Sequence, residues 1–183
     1  CLHGEPVLMW GVGEGLARLP TAEGPRDAMP AVLVNPRLPL ATRDVFAALD
    51  AQLLEMQPEA PGTAALQFAS VADVATYLAS VGNDLEAPAR RLLPAVAEMQ
   101  AALAREARCL HAGMSGSGPT CFGLFESMEA AQRASAALRQ AEPGWWVVAT
   151  GIAFPAGRAG SSRGRCRSRS RRWVRAHSHR CRR

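Results

Sequence analysis

A glycine- and serine-rich segment, Ser115, Gly116, Ser117 and Gly118, is the part of the sequence best suited to lie against a phosphate group. Glycines let the backbone approach a ligand closely, and successive amide groups can face an anion. A Walker-type loop is excluded, because it requires a lysine and the chain has none. A dinucleotide fingerprint does not fit, since this segment precedes a predicted strand. On pattern alone, a tight turn and a ligand-binding loop remain equally open.

A second polar cluster consists of Asn83, Asp84 and Glu86, at the predicted start of a helix. Carboxylates are stabilised there by the positive end of the helix dipole, so helix capping explains the cluster better than a metal site. Cysteine and histidine at positions 109, 111 and 121 lack the spacing of common zinc sites. The sequence therefore predicts no metal site and assigns no catalytic residue.

The elements that position these residues are predicted from apolar periodicity. Residues 42–54 indicate a helix capped by Thr42, with Val45, Phe46 and Leu49 on one apolar stripe, so the pattern alone makes Phe46 a core residue. After a linker at residues 58–63, the further predicted elements are a helix at 64–80, a long amphipathic helix over residues 85–105 with Pro88 in its first turns, a helix capped by Ser127, and strands at 31–35, 120–125 and 145–149. This alternation predicts an α+β fold with helices packed on one face of a mostly antiparallel sheet.

The formal net charge of +5 is unevenly distributed, because eleven of the 21 basic residues lie in residues 158–183, which contain no Asp or Glu. The rest of the chain carries ten arginines and sixteen acidic residues, so it is mildly acidic. The basic segment has almost no aliphatic residues and is predicted to be disordered. Its arginine and serine alternation is compatible with an RNA-binding module. Out-of-frame translation of a GC-rich coding sequence is the alternative, and the absence of lysine favours it.

The cysteines and the hydropathy pattern bear on location. Five cysteines without regular spacing argue against a secreted disulfide scaffold and favour reduced thiols. No apolar run approaches the roughly 20 residues that a membrane-spanning helix needs, and no leader pattern is present. We therefore expect a soluble protein of the cytoplasm.

Several motifs, taken in order, resemble those of a known family. They are Gly11-Val12-Gly13-Glu14, Val34-Asn35-Pro36 followed by Thr42 and Phe46, Asn83-Asp84-Leu85-Glu86, and Met114-Ser115-Gly116-Ser117-Gly118-Pro119-Thr120. Over roughly residues 1–150 this order resembles the 4-diphosphocytidyl-2-C-methyl-D-erythritol kinases, within the galactokinase, homoserine kinase, mevalonate kinase and phosphomevalonate kinase superfamily. The resemblance implies phosphorylation of the 2-hydroxyl of the cytidine-diphosphate-linked methylerythritol, for non-mevalonate isoprenoid synthesis, with ATP as co-substrate and Mg2+.

The resemblance also implies roles for individual residues on the substrate side. Phe46 matches an aromatic residue that stacks on the cytosine ring, and Thr42 positions the start of the same helix. Asn83, Asp84 and Glu86 match a recurrent segment, for which we expect an architectural role.

On the nucleotide side, Ser115, Gly116, Ser117 and Gly118 match a motif that supports the phosphate-binding loop. The resemblance places the main glycine-rich ATP loop, a lysine and the catalytic aspartate in the amino-terminal half, before the position that matches Cys1. We therefore expect no catalytic residue in this chain, inactivity of the chain alone, and a missing amino-terminal half as its partner.

The domain organisation follows from the same resemblance. Residues 1–20 are predicted to be a remnant of the amino-terminal domain, and residues 21–154 the carboxy-terminal domain that binds substrate and supports the nucleotide. Residues 155–183 form the predicted basic tail, which departs from the family because its members normally end soon after the strand near residue 150.

Overall fold

The computed structural model describes residues 7–10, 15–18, 27–49 and 68–153. Its strands are β1 (Val7–Trp10), β2 (Gly15–Arg18), β3 (Met29–Asn35), β4 (Cys109–Met114), β5 (Cys121–Phe125) and β6 (Trp146–Ile152). Its helices are α1 (Thr42–Ala47), α2 (Val71–Val81), α3 (Glu86–Leu92), α4 (Ala95–Arg105) and α5 (Met128–Ala141). No helix within the described ranges is long and apolar enough to cross a membrane.

Several predictions lie outside the described residues and stay predictions. These are the motif at residues 11–14, residues 50–54 of the first predicted helix, the linker at 58–63, residues 64–67 of the second helix, and the basic tail at 155–183. The two predicted domain boundaries likewise stay predictions. Within the described residues both of these helices are shorter than predicted, because α1 ends at Ala47, with Ala48 as its C-cap, and α2 begins only after its N-cap Ser70.

Four strands form one antiparallel sheet in the order β4, β5, β3, β6. The central strand β3 pairs with β5 on one side, where Ala31 lies opposite Leu124, and with β6 on the other, where Val32 lies opposite Ala149. Strands β1 and β2 form a separate antiparallel pair. Because helices connect β3 to β4 and β5 to β6, the four-stranded sheet has the split βαβ arrangement, and the predicted α+β class is confirmed.

Helices cover both faces of this sheet. Val32 and Val34 of β3 face α4 and α5, whereas Met29 and Ala31 belong to a second core cluster with α2 and Phe68. Successive strand residues point to opposite faces, so a strand that is covered on both sides is nearly continuously apolar. Helices α4 and α5 share a face as expected, and α2 adds a layer on the other face.

Helix α5 follows directly from local signals. Ser127 is its N-cap, and the Ser127 hydroxyl accepts a hydrogen bond of 3.2 Å from the Ala130 amide. Ala130, Ala134 and Leu138 recur at helical spacing and are buried against β3 and β6. The predicted helix, its cap and its buried side are confirmed.

The long helix predicted over residues 85–105 is wrong as a single element, because it is two helices, α3 and α4. The break lies at Leu93, whose backbone is extended (φ −141°, ψ 91°), and Pro94 is the N-cap of α4. The proline ring disfavours helical geometry in the preceding residue, so the helix ends there. Pro88 lies in the first turn of α3, where its missing amide hydrogen is tolerated.

Strand β4 was absent from the sequence-based prediction. Its residues, Cys109–Met114, include alanine, glycine and histidine, which are weak strand formers, and the register shifts between Cys109 and His111. Pairing with β5 makes this segment a strand, and this places the predicted glycine-serine loop between two adjacent antiparallel strands.

Candidate functional site

A cavity of about 730 Å³ lies between α1, the turn from α2 to α3, and β4. This volume falls in the range of pockets that bind small molecules. The cavity is lined by Phe46, Leu49, Leu78, Ala79, Gly82, Asn83, Asp84, Leu85, Glu86, His111, Ala112, Gly113, Met114, Gly116 and Phe122. It therefore brings together the predicted aromatic, the polar cluster and part of the glycine-serine loop.

Helix α1 directs two neighbouring residues to different environments. Val45 is fully buried in the main core cluster, whereas Phe46 is half-buried and lines the cavity. The apolar stripe of the sequence thus separates into one core residue and one cavity residue. The pattern alone predicted a core residue at Phe46, and that prediction is wrong. Part of the Phe46 ring is accessible from the cavity.

Thr42 does not cap α1, so that prediction is wrong. Ala41 is the N-cap and makes no side-chain capping bond, while Thr42 is the first helical residue. The Thr42 hydroxyl lies 2.8 Å from the Ser117 hydroxyl, 75 positions along the chain. The hydrogen bond between these two hydroxyls connects the start of α1 to the glycine-serine loop.

The loop that follows β4 is shaped by its own hydrogen bonds. The Ser115 amide donates to the Thr120 carbonyl at 2.9 Å, and the Gly118 amide donates to the Ser115 carbonyl at 3.0 Å. Gly116 and Gly118 have positive φ angles of 57° and 80°. Glycine adopts this region without strain, so the loop requires glycine at both positions for conformational reasons.

Asn83 holds the loop from the cavity side. Its side-chain amide donates to the carbonyl of Met114 at 3.2 Å and to that of Gly116 at 2.9 Å. Its side-chain oxygen accepts from the Leu85 amide at 3.0 Å, which fixes the turn that leads into α3. One side chain thus joins the α2 to α3 turn to the loop.

Glu86 holds the beginning of the loop with its carboxylate. One oxygen accepts from the Met114 amide at 2.9 Å, and the other accepts from the Arg90 guanidinium at 2.9 Å. Arg90 also donates to the side-chain oxygen of the buried Gln100 at 2.7 Å. Asp84 lies at the cavity edge, and its side chain is exposed. Hydrogen bonds to charged groups are stronger than neutral ones, so Glu86 is a firm attachment.

Asn35 holds the other end of the loop and was not assigned a role from the sequence. Its side-chain amide donates to the Thr120 hydroxyl at 2.9 Å, and its side-chain oxygen accepts from the Arg37 amide at 2.8 Å. Arg37 has a positive φ of 58° in the turn after β3. The Asn35-Pro36 pair in the sequence indicated this turn, but nothing local indicated the contact with Thr120.

His111 is the second residue that sequence reasoning missed. It lines the cavity, and its ring centroid is 5.8 Å from that of Phe122. Burial lowers the pKa of His111, and the negative charge of Glu86 opposes the effect. A side chain on Gly113 would come within 2.9 Å of the His111 ring, so glycine leaves space for the imidazole.

The described residues do not form a metal site or an activated thiol. Within the described ranges, no group of three or more His, Cys, Asp or Glu side chains could hold a metal ion. Burial raises the pKa of the Cys121 thiol to about 12 and also raises that of Cys109, so both thiols are protonated near neutral pH.

Comparisons with known proteins identify the family of the chain. A family model described as "GHMP kinases C terminal" matches residues 63–144. A 4-diphosphocytidyl-2-C-methyl-D-erythritol kinase from Parvibaculum lavamentivorans is 44% identical over 147 residues, which is 80% of this chain and 49% of that protein. The enzyme of the same name from Cereibacter sphaeroides strain ATCC 17025 is 47% identical over 147 residues, 80% of this chain and 50% of that protein. The chain spans about half the length of these curated relatives.

Solved structures show the same relationship. A crystal structure of 4-(cytidine 5'-diphospho)-2C-methyl-D-erythritol kinase matches with a TM-score of 0.57 and 32% identity, over 83% of this chain and 52% of that one. Homoserine kinase from Cytophaga hutchinsonii matches at 20% identity with a TM-score of 0.53, over 83% of this chain and 50% of that one, which shows a shared fold. None of these matches supports an RNA-binding role. The chain belongs to the GHMP kinases and corresponds to the carboxy-terminal part of a 4-diphosphocytidyl-2-C-methyl-D-erythritol kinase.

Proposed function

We propose that this chain supplies the substrate-binding side of an ATP-dependent kinase for the 2-hydroxyl of a cytidine-diphosphate-linked methylerythritol. The observation that carries the proposal is the position of Phe46, half-buried in the wall of a cavity that also includes Gly116 of the loop. A planar base can stack on an aromatic ring there, while its phosphates extend towards the loop. The relatives that match over most of this chain bear the name of this kinase.

The contribution of the loop is support, because several of its amides are engaged within the protein. The amides of Met114, Ser115 and Gly118 donate to Glu86, Thr120 and Ser115 respectively. A loop held in this way fixes the outline of a phosphate site. Phosphoryl transfer depends mainly on positioning and charge neutralisation, and the described residues serve the positioning.

Magnesium is proposed to bind together with ATP. The two carboxylates at the cavity do not form a metal site, since Glu86 is engaged by the Met114 amide and Arg90, and the described residues hold no cluster of metal-ligating side chains. The proposed location is the cytoplasm, where ATP is available to such a kinase.

Replacement of Phe46 by alanine tests the proposal directly. Loss of one stacking face costs about 1–3 kcal/mol in base-binding sites, so we expect Phe46→Ala to raise the Kd for cytidine 5'-diphosphate at least fivefold. Phe46→Trp retains a stacking face and should bind within about threefold of the original chain. Isothermal titration calorimetry on the 183-residue chain measures both values.

Leu38→Ala provides the control, because Leu38 is an exposed apolar residue outside the cavity lining. It should leave the Kd unchanged. The proposed role is incorrect if the unmodified chain binds no cytidine diphosphate, or if Phe46→Ala and Leu38→Ala bind it equally well.

A further inference from the structure

Helix α1 is too short to hold Phe46 in place by itself. It has six residues, and isolated helices shorter than about 12–15 residues are marginal in water. At its carboxy-terminal end, the Arg91 guanidinium donates a hydrogen bond of 2.7 Å to the carbonyl of Ala48, which is the C-cap. A cation at this end also interacts favourably with the helix dipole. Arg91 of α3 is therefore an attachment point for the helix that carries Phe46.

Arg90, the adjacent residue, reaches a different part of the site. It donates to Glu86 at 2.9 Å and to Gln100 at 2.7 Å. The other oxygen of Glu86 accepts from the Met114 amide, where the glycine-serine loop begins. Successive helical residues point about 100° apart, since a turn has 3.6 residues, so two neighbouring side chains can serve two directions. One turn of α3 thus contacts both α1 and, through Glu86, the loop.

We propose that Arg91 and Arg90 are separate positioning residues for the two ligand-contacting parts of the site. Arg91 fixes α1 and so orients the Phe46 ring for a nucleobase. Arg90 fixes Glu86 and so orients the loop for phosphate groups. The identity of these ligands rests on the proposed function, whereas the two attachments do not. Neither arginine lines the cavity, so each acts through another residue.

The two attachments differ in their settings. The Arg90 to Glu86 contact is a salt bridge within α3, and the Glu86 side chain is 22% exposed. The Arg91 to Ala48 contact joins a charged donor to a backbone carbonyl 43 positions away, so its loss removes the attachment at the carboxy-terminal end of α1. Removing either arginine should therefore loosen one part of the site and leave the other in place.

Amide hydrogen exchange on the 183-residue chain tests the attachments without any ligand. The Ala48 and Leu49 amides donate within and just after α1, and the Ser115 and Gly118 amides donate within the loop. We expect Arg91→Met to speed exchange at the first pair only, and Arg90→Met to speed exchange at the second pair only. Arg105→Met, at the end of α4, is the matched control and should change neither pair.

Ligand affinity then tests the consequence for binding. We expect Arg91→Met to weaken cytidine and cytidine 5'-diphosphate binding by the same factor, about fivefold to tenfold, because both ligands carry the base. Arg90→Met should leave the cytidine affinity unchanged and weaken cytidine 5'-diphosphate by a similar factor, since only the diphosphate extends to the loop and one charge-assisted hydrogen bond is lost. Arg91→Lys retains a cationic donor and should recover most of the cytidine diphosphate affinity.

The outcomes separate this inference from the proposed function. If exchange follows the crossed pattern but the unmodified chain binds no cytidine diphosphate, the attachments stand and the proposed function fails. If the unmodified chain binds cytidine diphosphate and both variants weaken both ligands equally, general destabilisation explains the result and the inference is overturned. Equal exchange changes at all four amides overturn it as well.

Discussion

His111 shows how a single residue links the cavity to the stability of the fold. Its imidazole lies against Phe122, and Gly113 leaves the space that it occupies. Asp84 and Glu86 lie on the same cavity lining, so two carboxylates accompany the ring. Burial nevertheless has the larger effect and lowers the pKa of His111 from its ordinary value of 6.5. The folded protein therefore binds this proton less readily than the unfolded chain does.

The pKa shift predicts how stability depends on pH. Well above pH 6.5 the imidazole is neutral in both states, and the contribution of His111 to the free energy of unfolding has its full value. As the pH falls from 6.5 through the lower pKa of the folded state, the unfolded chain gains the proton first, and the free energy of unfolding decreases. Urea unfolding of the original chain and of His111→Phe, which keeps an aromatic contact with Phe122, measures this effect.

We expect the free energies of unfolding of the two proteins to diverge as the pH falls, with the phenylalanine variant losing less stability between about pH 7.5 and about pH 5.5. Parallel plots of the free energy of unfolding against pH over that interval would show that His111 does not contribute to the pH dependence.

At the scale of elements, the site depends on short helices whose ends are held by specific groups. Ser127 caps α5 with its own hydroxyl, and Ser70 caps α2 in a capping box with Asp73. Helix α1 has no side-chain cap and relies on Thr42, Val45 and Arg91 for long-range contacts. The start of a helix with a local cap is therefore determined by its own sequence, whereas α1 is held in place by residues of neighbouring elements.

Removal of the α5 cap should cause a measurable loss of stability. Ser127→Ala leaves the Ala130 amide without its 3.2 Å acceptor and should lower the free energy of unfolding by about 1 kcal/mol. Ser127→Thr keeps an acceptor and should lose only a few tenths of a kcal/mol. Gln132→Ala, at an exposed position of the same helix, is the control. Chemical unfolding that gives the same stability for Ser127→Ala and Ser127→Thr would contradict the assigned cap.

The elements differ in how well their sequence predicts them, for identifiable reasons. Helix α5 was predictable because its cap and its buried side are local. The break at Pro94 was missed because Val96, Met99 and Leu103 continue the apolar period of the preceding helix. Strand β4 was missed because only its pairing with β5 gives it strand structure.

The same contrast between local signals and long-range contacts explains how far the site could be predicted. The loop glycines and Phe46 are predicted as site residues from their order along the chain, which resembles that of a known family. The contacts that fix them were not predictable, since Asn35 reaches Thr120 over 85 positions and Arg91 reaches Ala48 over 43. No local pattern specifies which distant residue a polar side chain will meet.

At the scale of the whole molecule, the proposed role of the described fold is to bind and position the substrate. The chain spans about half the length of its curated relatives, and its described residues hold no cluster of metal-ligating side chains and no activated thiol. The family resemblance assigns the catalytic aspartate to the amino-terminal half. Binding and chemistry are therefore expected to reside on different halves of the complete kinase.

This division predicts the behaviour of the chain in an activity assay. The 183 residues alone should transfer no phosphate from ATP to the cytidylated substrate. Co-expression with the amino-terminal half of the Parvibaculum lavamentivorans relative should restore transfer, which release of ADP in a coupled assay measures. The same half paired with Phe46→Ala should give a raised KM for the cytidylated substrate. Phosphate transfer by the chain alone would refute the division.

The hydrogen bonds around the glycine-serine loop also bear on protein engineering. Four residues outside the loop contact it, Asn35 and Thr42 from one segment of the chain and Asn83 and Glu86 from another. A graft of residues 114–120 into another scaffold would carry the glycines and leave all four partners behind. The loop is therefore not a portable module, and a designer who wants its shape must transfer the surrounding framework as well.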